Sequence, residues 1–115
     1  APTILDLAKV KIPDDMQGRS LLPIFKGQVP ADWPRSMYYH YYEFAPPHWA
    51  MPCYGVRSDR YKLIYYYENN EWELYDLQKD PNELNNVYDN PDYKETQDSL
   101  KNELQIQMKK FKDNI

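Results

Sequence analysis

Residues 54–67 read YGVRSDRYKLIYYY, and how they are read decides the fold. Five of the fourteen are tyrosine, a residue that suits a pleated, half-buried surface. Ser58, Asp59 and Arg60 set turn-forming residues between two β-like arms, which predicts a hairpin. On the second arm Tyr61, Leu63, Tyr65 and Tyr67 alternate with Lys62, Ile64 and Tyr66, so both faces are expected to be partly covered. The rings are therefore either the wall of a binding site or one layer of a core.

Upstream of the hairpin, SMYYHYYEF predicts a strand over about 36–43. APPHWAMPC follows, and its three prolines make it a rigid loop able to present side chains. Downstream, a polar 68–71 loop leads into WELYDL, a further antiparallel strand, and then a turn at Asp80-Pro81. The last segment predicts a helix over 91–112. Asn90 is placed to cap it, Pro91 suits its first position, and Asp92 and Glu95 match its positive end. Tyr93, Leu100, Leu104, Met108 and Phe111 give it one apolar stripe. The fold class expected is α+β: about four antiparallel strands packed against a long C-terminal helix.

Residues 1–34 read differently. TILDLAK looks like the end of a helix capped by Thr3, SLLPIFKG like a helical turn closing at Gly27, and Pro30 and Pro34 mark an extended connector. The organisation expected is thus a 1–34 stretch of linker and helical turns, then an α+β unit over 35–115. The whole length of 115 residues accommodates one compact domain.

A formal net charge of −4 argues against a nucleic-acid partner, which needs clustered Lys and Arg. One cysteine, Cys53, gives neither an internal disulfide nor a Cys-based zinc site. No apolar run approaches the roughly 20 residues of a membrane span. The opening APTILDLA, without Met, is expected to be the start of an excised piece.

In combination, GRSLLPIFKG, YGVRSDRYKLIYYY and WELYDLQKDPNELNNV resemble the C-terminal subdomain of type I sulfatases, the formylglycine-dependent sulfuric ester hydrolases. The resemblance covers nearly the whole chain, and His40-Tyr41-Tyr42-Glu43 is most similar to bacterial members of the N-acetylglucosamine-6-sulfatase type. It implies a parent enzyme that uses calcium and a formylglycine, acts on a sulfated carbohydrate and is periplasmic or secreted. It also implies a catalytic domain preceding this one in the same polypeptide. The family's nucleophile opens a Cys/Ser-x-Pro-x-Arg block, whereas Cys53 is followed by Tyr54-Gly55-Val56. No catalytic residue, metal ligand or cofactor is therefore expected within this chain, and the chain alone is expected to be inactive.

Four residues stand out as substrate-binding candidates: His40, His48, Trp49 and Arg57. A histidine can hydrogen-bond a sugar hydroxyl, and for His40 and His48 that role stands beside a satisfied structural one. Trp49 offers an apolar face to a pyranose ring or an anchor to an interface. Arg57 suits either a sulfated sugar or a carboxylate of the catalytic domain. Asp59 and Arg60 are read as a hairpin tip with a solvated arginine, and Asp76, Asp80 and Glu83 as turn and cap residues. Two other classes of function remain open: an autonomous carbohydrate-binding module, and an interaction domain that forms a homodimer in isolation.

Overall fold

In the computed structural model residues 1–43, 46 and 49–113 are described, and they divide into two compact units, Ala1–Pro34 and Arg35–Ile115.

The second unit holds a four-stranded antiparallel sheet in the order β1 (Ser36–Tyr41), β2 (Cys53–Ser58), β3 (Tyr61–Tyr66) and β4 (Glu71–Asp76). Each strand pairs with its sequence neighbour, the arrangement of least loop-closure cost. A 3₁₀ turn, Pro91–Tyr93, leads into α3 (Lys94–Phe111). The Asn90 side chain accepts from the Asp92 amide and starts the turn as expected, while Lys112 ends the helix in the left-handed region at φ 56°.

Alternation sorts the side chains. Tyr38, Tyr54, Val56, Tyr61, Leu63, Trp72 and Leu74 pack beneath Leu100, Leu104 and Met108 of α3. Met37, Tyr39, Cys53, Gly55, Arg57, Ile64, Tyr66, Glu73 and Tyr75 occupy the other face. Gly55 is there because the Tyr39 ring lies on it: a Cβ at this position would stand 2.6 Å from the Tyr39 hydroxyl oxygen. The tyrosine-rich hairpin is thus mainly core and sheet surface, with Tyr65 stacked on Trp72 at 4.4 Å between centroids.

Several local expectations are corrected. The first strand ends at Tyr41 rather than residue 43. The hairpin tip is closed by Ser58, whose Oγ accepts from the Tyr61 amide at 3.0 Å. Arg60, still 42% exposed, is not a free tip residue but reaches back to Asp76 with two hydrogen bonds, at 2.9 and 2.7 Å. That carboxylate is 2% exposed and also accepts from the Tyr93 hydroxyl. A buried carboxylate needs such partners, which is why Arg60 turns inward.

The first unit contains α1 (Pro2–Leu7), α2 (Leu22–Phe25) and connecting turns. Thr3 does not cap α1; its hydroxyl accepts from the Leu21 amide at 3.0 Å, and Ser20 donates to Asp6 at 2.5 Å. None of its 34 residues is buried.

Candidate functional site

The four candidates do not converge. His40 lies near the end of β1 opposite Tyr54, with its side chain on the helix-covered face and 6% exposed. Arg57 sits at the other end of the β1–β2 ladder, on the opposite face, and is exposed. Trp49 lies in the loop between β1 and β2, with 68% of its surface in water and a φ of 47°. His48 falls outside the described residues.

Around His40 the structure assembles a cluster that the sequence did not mark. The left-handed turn at Lys112 swings Asp113 back over the sheet. Its Oδ2 accepts from Tyr38 at 2.6 Å and lies 2.7 Å from Nδ1 of His40, with Tyr42 more distant at 3.4 Å. These donors, Tyr38 foremost, hold the Asp113 carboxyl below the usual range against the opposing effect of burial. Burial, then the Asp113 carboxylate, pushes the Tyr38 hydroxyl up. With Nδ1 directed at Asp113, the ring nitrogen left over is Nε2. That nitrogen is buried and has no partner among the described residues. Tyr42 lies against the imidazole at 3.7 Å between centroids, while Tyr54 and Tyr67 meet it edge-on. The cluster fastens the start of the Pro-rich loop to the end of α3.

Trp49 combines two unfavourable features, a large apolar ring left in water and a left-handed backbone at a residue with a bulky side chain. Strain of this kind persists where the surroundings or a ligand require it.

On the open face, Glu73 accepts from Tyr66 at 3.4 Å, and Lys62 pairs with Glu83 at 2.5 Å. Burial, reinforced by the Glu73 charge, pushes the Tyr66 hydroxyl up to about 12. Tyr75 rises to about 12 as well, through burial and the neighbouring Glu73 carboxylate. The Tyr39 hydroxyl, buried over Gly55, has no partner among the described residues. Cys53 is half-buried, and burial raises its thiol, which leaves it a poor nucleophile. Among the described residues no group of three or more His, Cys, Asp or Glu side chains is arranged to hold a metal ion.

Residues 1–110 match the family model described as N-sulphoglucosamine sulphohydrolase, C-terminal. The chain belongs to that family. Within it, this C-terminal domain is 44% identical, over 99% of its length, to N-acetylglucosamine-6-O-sulfatase of Bacteroides thetaiotaomicron, of which it covers 21%. It superposes with a TM-score of 0.92 on a protein solved in complex with its substrate D-glucosamine-2-N,6-O-disulfate. There the identity is 42%, covering 98% of this chain and 24% of that one. A structure described as a 2-O GAG sulfatase matches at 0.83, with 31% identity over 97% of this chain and 24% of its own. The sulphohydrolase C-terminal domain thus spans about a fifth to a quarter of the relatives it matches.

Proposed function

We propose that this chain is the C-terminal domain of a sulfatase that removes sulfate esters from glycosaminoglycan sugars, with glucosamine 6-O-sulfate as the preferred unit. The observation that carries the reading is the 0.92 superposition, at 42% identity, on the protein bound to D-glucosamine-2-N,6-O-disulfate.

In this reading the domain buttresses a catalytic domain and adds to the edge of the substrate cleft. The six large apolar side chains exposed in residues 1–34 support it, since surface of that kind is expected to be covered by further protein. Trp49 is the side chain we assign to the sugar, because stacking on a pyranose would account for both its exposure and its backbone strain. Arg57, exposed on the open face, is assigned to the interdomain contact. His40 acts from beneath, holding the root of the loop through Asp113.

The calcium and formylglycine of such an enzyme are assigned outside these residues. No metal-holding group is present among the described side chains, and Cys53 lacks the Cys-x-Pro-x-Arg setting. Both are assigned to the remainder of the parent, and no catalytic step is assigned to this chain. We further assign the parent to the periplasm or the secreted fraction. The helices described here include none long and apolar enough to cross a membrane.

The test is sulfate release from 6-sulfated N-acetylglucosamine by the longer enzyme and by the 115-residue chain. The longer enzyme is expected to release sulfate, to prefer this substrate to a 2-O-sulfated hexuronate, and to show a raised KM with little change in kcat when Trp49→Ala is introduced. Release by the 115-residue chain alone would refute the division of labour. A second reading, an autonomous sugar-binding module, is favoured only by the exposed Trp49. Indole quenching of the isolated chain by millimolar sulfated N-acetylglucosamine, abolished by Trp49→Ala, would favour it instead.

A further inference from the structure

The two edges of the sheet are treated differently. In β4 the Leu74 amide donates to Asn86 Oδ1 at 2.9 Å, its carbonyl accepts from the Val87 amide at 2.9 Å, and the Trp72 carbonyl accepts from the Asn86 side chain at 3.0 Å. That edge is closed by the 80–90 segment. Backbone direction alternates along each strand, so Leu74 facing outward fixes the direction of every residue in the uninterrupted registers. Glu73 then faces β3, Leu63 faces β2, and Gly55 faces β1. In β1, Met37, Tyr39 and Tyr41 spend their backbone groups on β2, while Ser36, Tyr38 and His40 direct theirs away from the sheet. No described residue bonds to those outward groups.

The usual protections of an edge are missing as well. β1 reads SMYYHY, with no lysine, no proline, no acidic residue and no bulge in its pairing. The outward side of the strand is stiffened from within. Ser36 is bonded to Glu103 and Gln107 of α3, and Tyr38 and His40 are bonded to Asp113.

We propose that β1 pairs antiparallel with β1 of a second copy of this chain, joining two four-stranded sheets across a two-fold axis at Tyr38. The outward groups are symmetric about Tyr38. A reversed copy therefore places Tyr38 opposite Tyr38 and Ser36 opposite His40, giving three narrow pairs that each exchange two N–H···O=C bonds. The strand carries no Lys, Arg, Asp or Glu and its histidine falls opposite Ser36, so no like charges are paired, and Met37, 57% exposed, falls opposite Tyr39 of the second copy on the open face. The proposal is independent of the substrate and of the sulfatase assignment.

Sedimentation of the 115-residue chain tests it. The mass should rise from 13.9 kDa at about 1 μM toward twice that value as the concentration approaches about 1 mM. Over the same range amide exchange at Ser36, Tyr38 and His40 should slow by about tenfold or more, while Met37, Tyr39 and Tyr41 stay protected at both ends. Ser36→Pro deletes an outward amide at the first strand position, where proline is tolerated, and should hold the chain monomeric. Met37→Lys should weaken association without touching the backbone. A chain that stays monomeric at millimolar concentration overturns the proposal, leaving the edge to a segment of a different protein or of the longer polypeptide. So does a dimer that forms without slowing exchange at Tyr38, or one that Ser36→Pro and Met37→Lys both leave intact.

Discussion

In the sheet–helix unit Val56, Leu63, Leu74 and Leu104 are completely withdrawn from water, whereas in residues 1–34 Ile4, Leu7, Val10, Phe25 and Val29 each keep more than half of their surface exposed. The first set makes one contiguous core. The second is held in shape by polar bonds at close range, such as Ser20 to Asp6 and Arg19 to the Asp32 carbonyl, with the Arg19 guanidinium over the Trp33 ring. Burial of apolar surface is the main favourable term in folding, so the sheet–helix unit carries its own stability and the 1–34 unit does not. The difference is what the proposed domain junction would require: one part that is rigid unaided, and one whose exposed apolar side chains a further domain would cover.

The largest test of this contrast is Leu104→Ala. Leu104 is fully buried against the sheet, and its truncation should cost about 4 kcal/mol in urea unfolding of the 115-residue chain. A loss below about 1 kcal/mol would mean that α3 is loosely packed and that the contrast is false.

Next in size is Asp76→Ala, expected to cost about 2 kcal/mol by removing the buried acceptor that Arg60 and Tyr93 share. The same residue sets the acid limb. Its carboxyl is lowered from 3.8 to about 2, first by the Arg60 hydrogen bonds, against the opposing effect of burial. A depressed folded-state value means that its contribution is complete above about pH 4 and is lost as pH falls toward about 2. Asp113 is shifted in the same direction and adds to this loss. Asp76→Asn should therefore flatten the fall in stability between pH 4 and pH 2. An unchanged acid limb in that variant would remove Asp76 from the account.

What could be read from the sequence follows the range of the interactions. The hairpin is written in the alternation of Tyr61, Leu63 and Tyr65, and α3 in the Asn90 cap and the spacing of Leu100, Leu104 and Met108. Both signals lie within a few residues of one another. The Asp113 cluster is different, because it depends on a left-handed turn at Lys112, where no glycine announces it, and on partners about seventy residues away. Arg60 was legible as a turn residue but not as the partner of Asp76, since both lie on short polar stretches that read equally well as solvated. The closure of β4 by Asn86 and the lack of any described partner along the outer edge of β1 are likewise properties of the assembled sheet, not of any segment. Of the site candidates, Trp49 was marked by its residue type and its Pro-rich setting, but its strain belongs to the backbone alone.

The smallest expected effect is the sharpest for the contrast. Phe25→Ser replaces a ring that is 67% exposed in α2, so in the 115-residue chain it removes little buried surface. The urea midpoint should move by no more than about 0.5 kcal/mol equivalent. In the longer enzyme the same substitution should cost several times more, because there the ring would be buried by the catalytic domain and its loss would leave a cavity lined by that partner. A loss above about 1 kcal/mol in the short chain would mean that Phe25 already has a core of its own. Equal, negligible losses in both proteins would mean that the apolar side chains of residues 1–34 meet nothing at all, and the interdomain role would then pass to the open face of the sheet, where Tyr39 keeps a buried hydroxyl with no partner among the described residues.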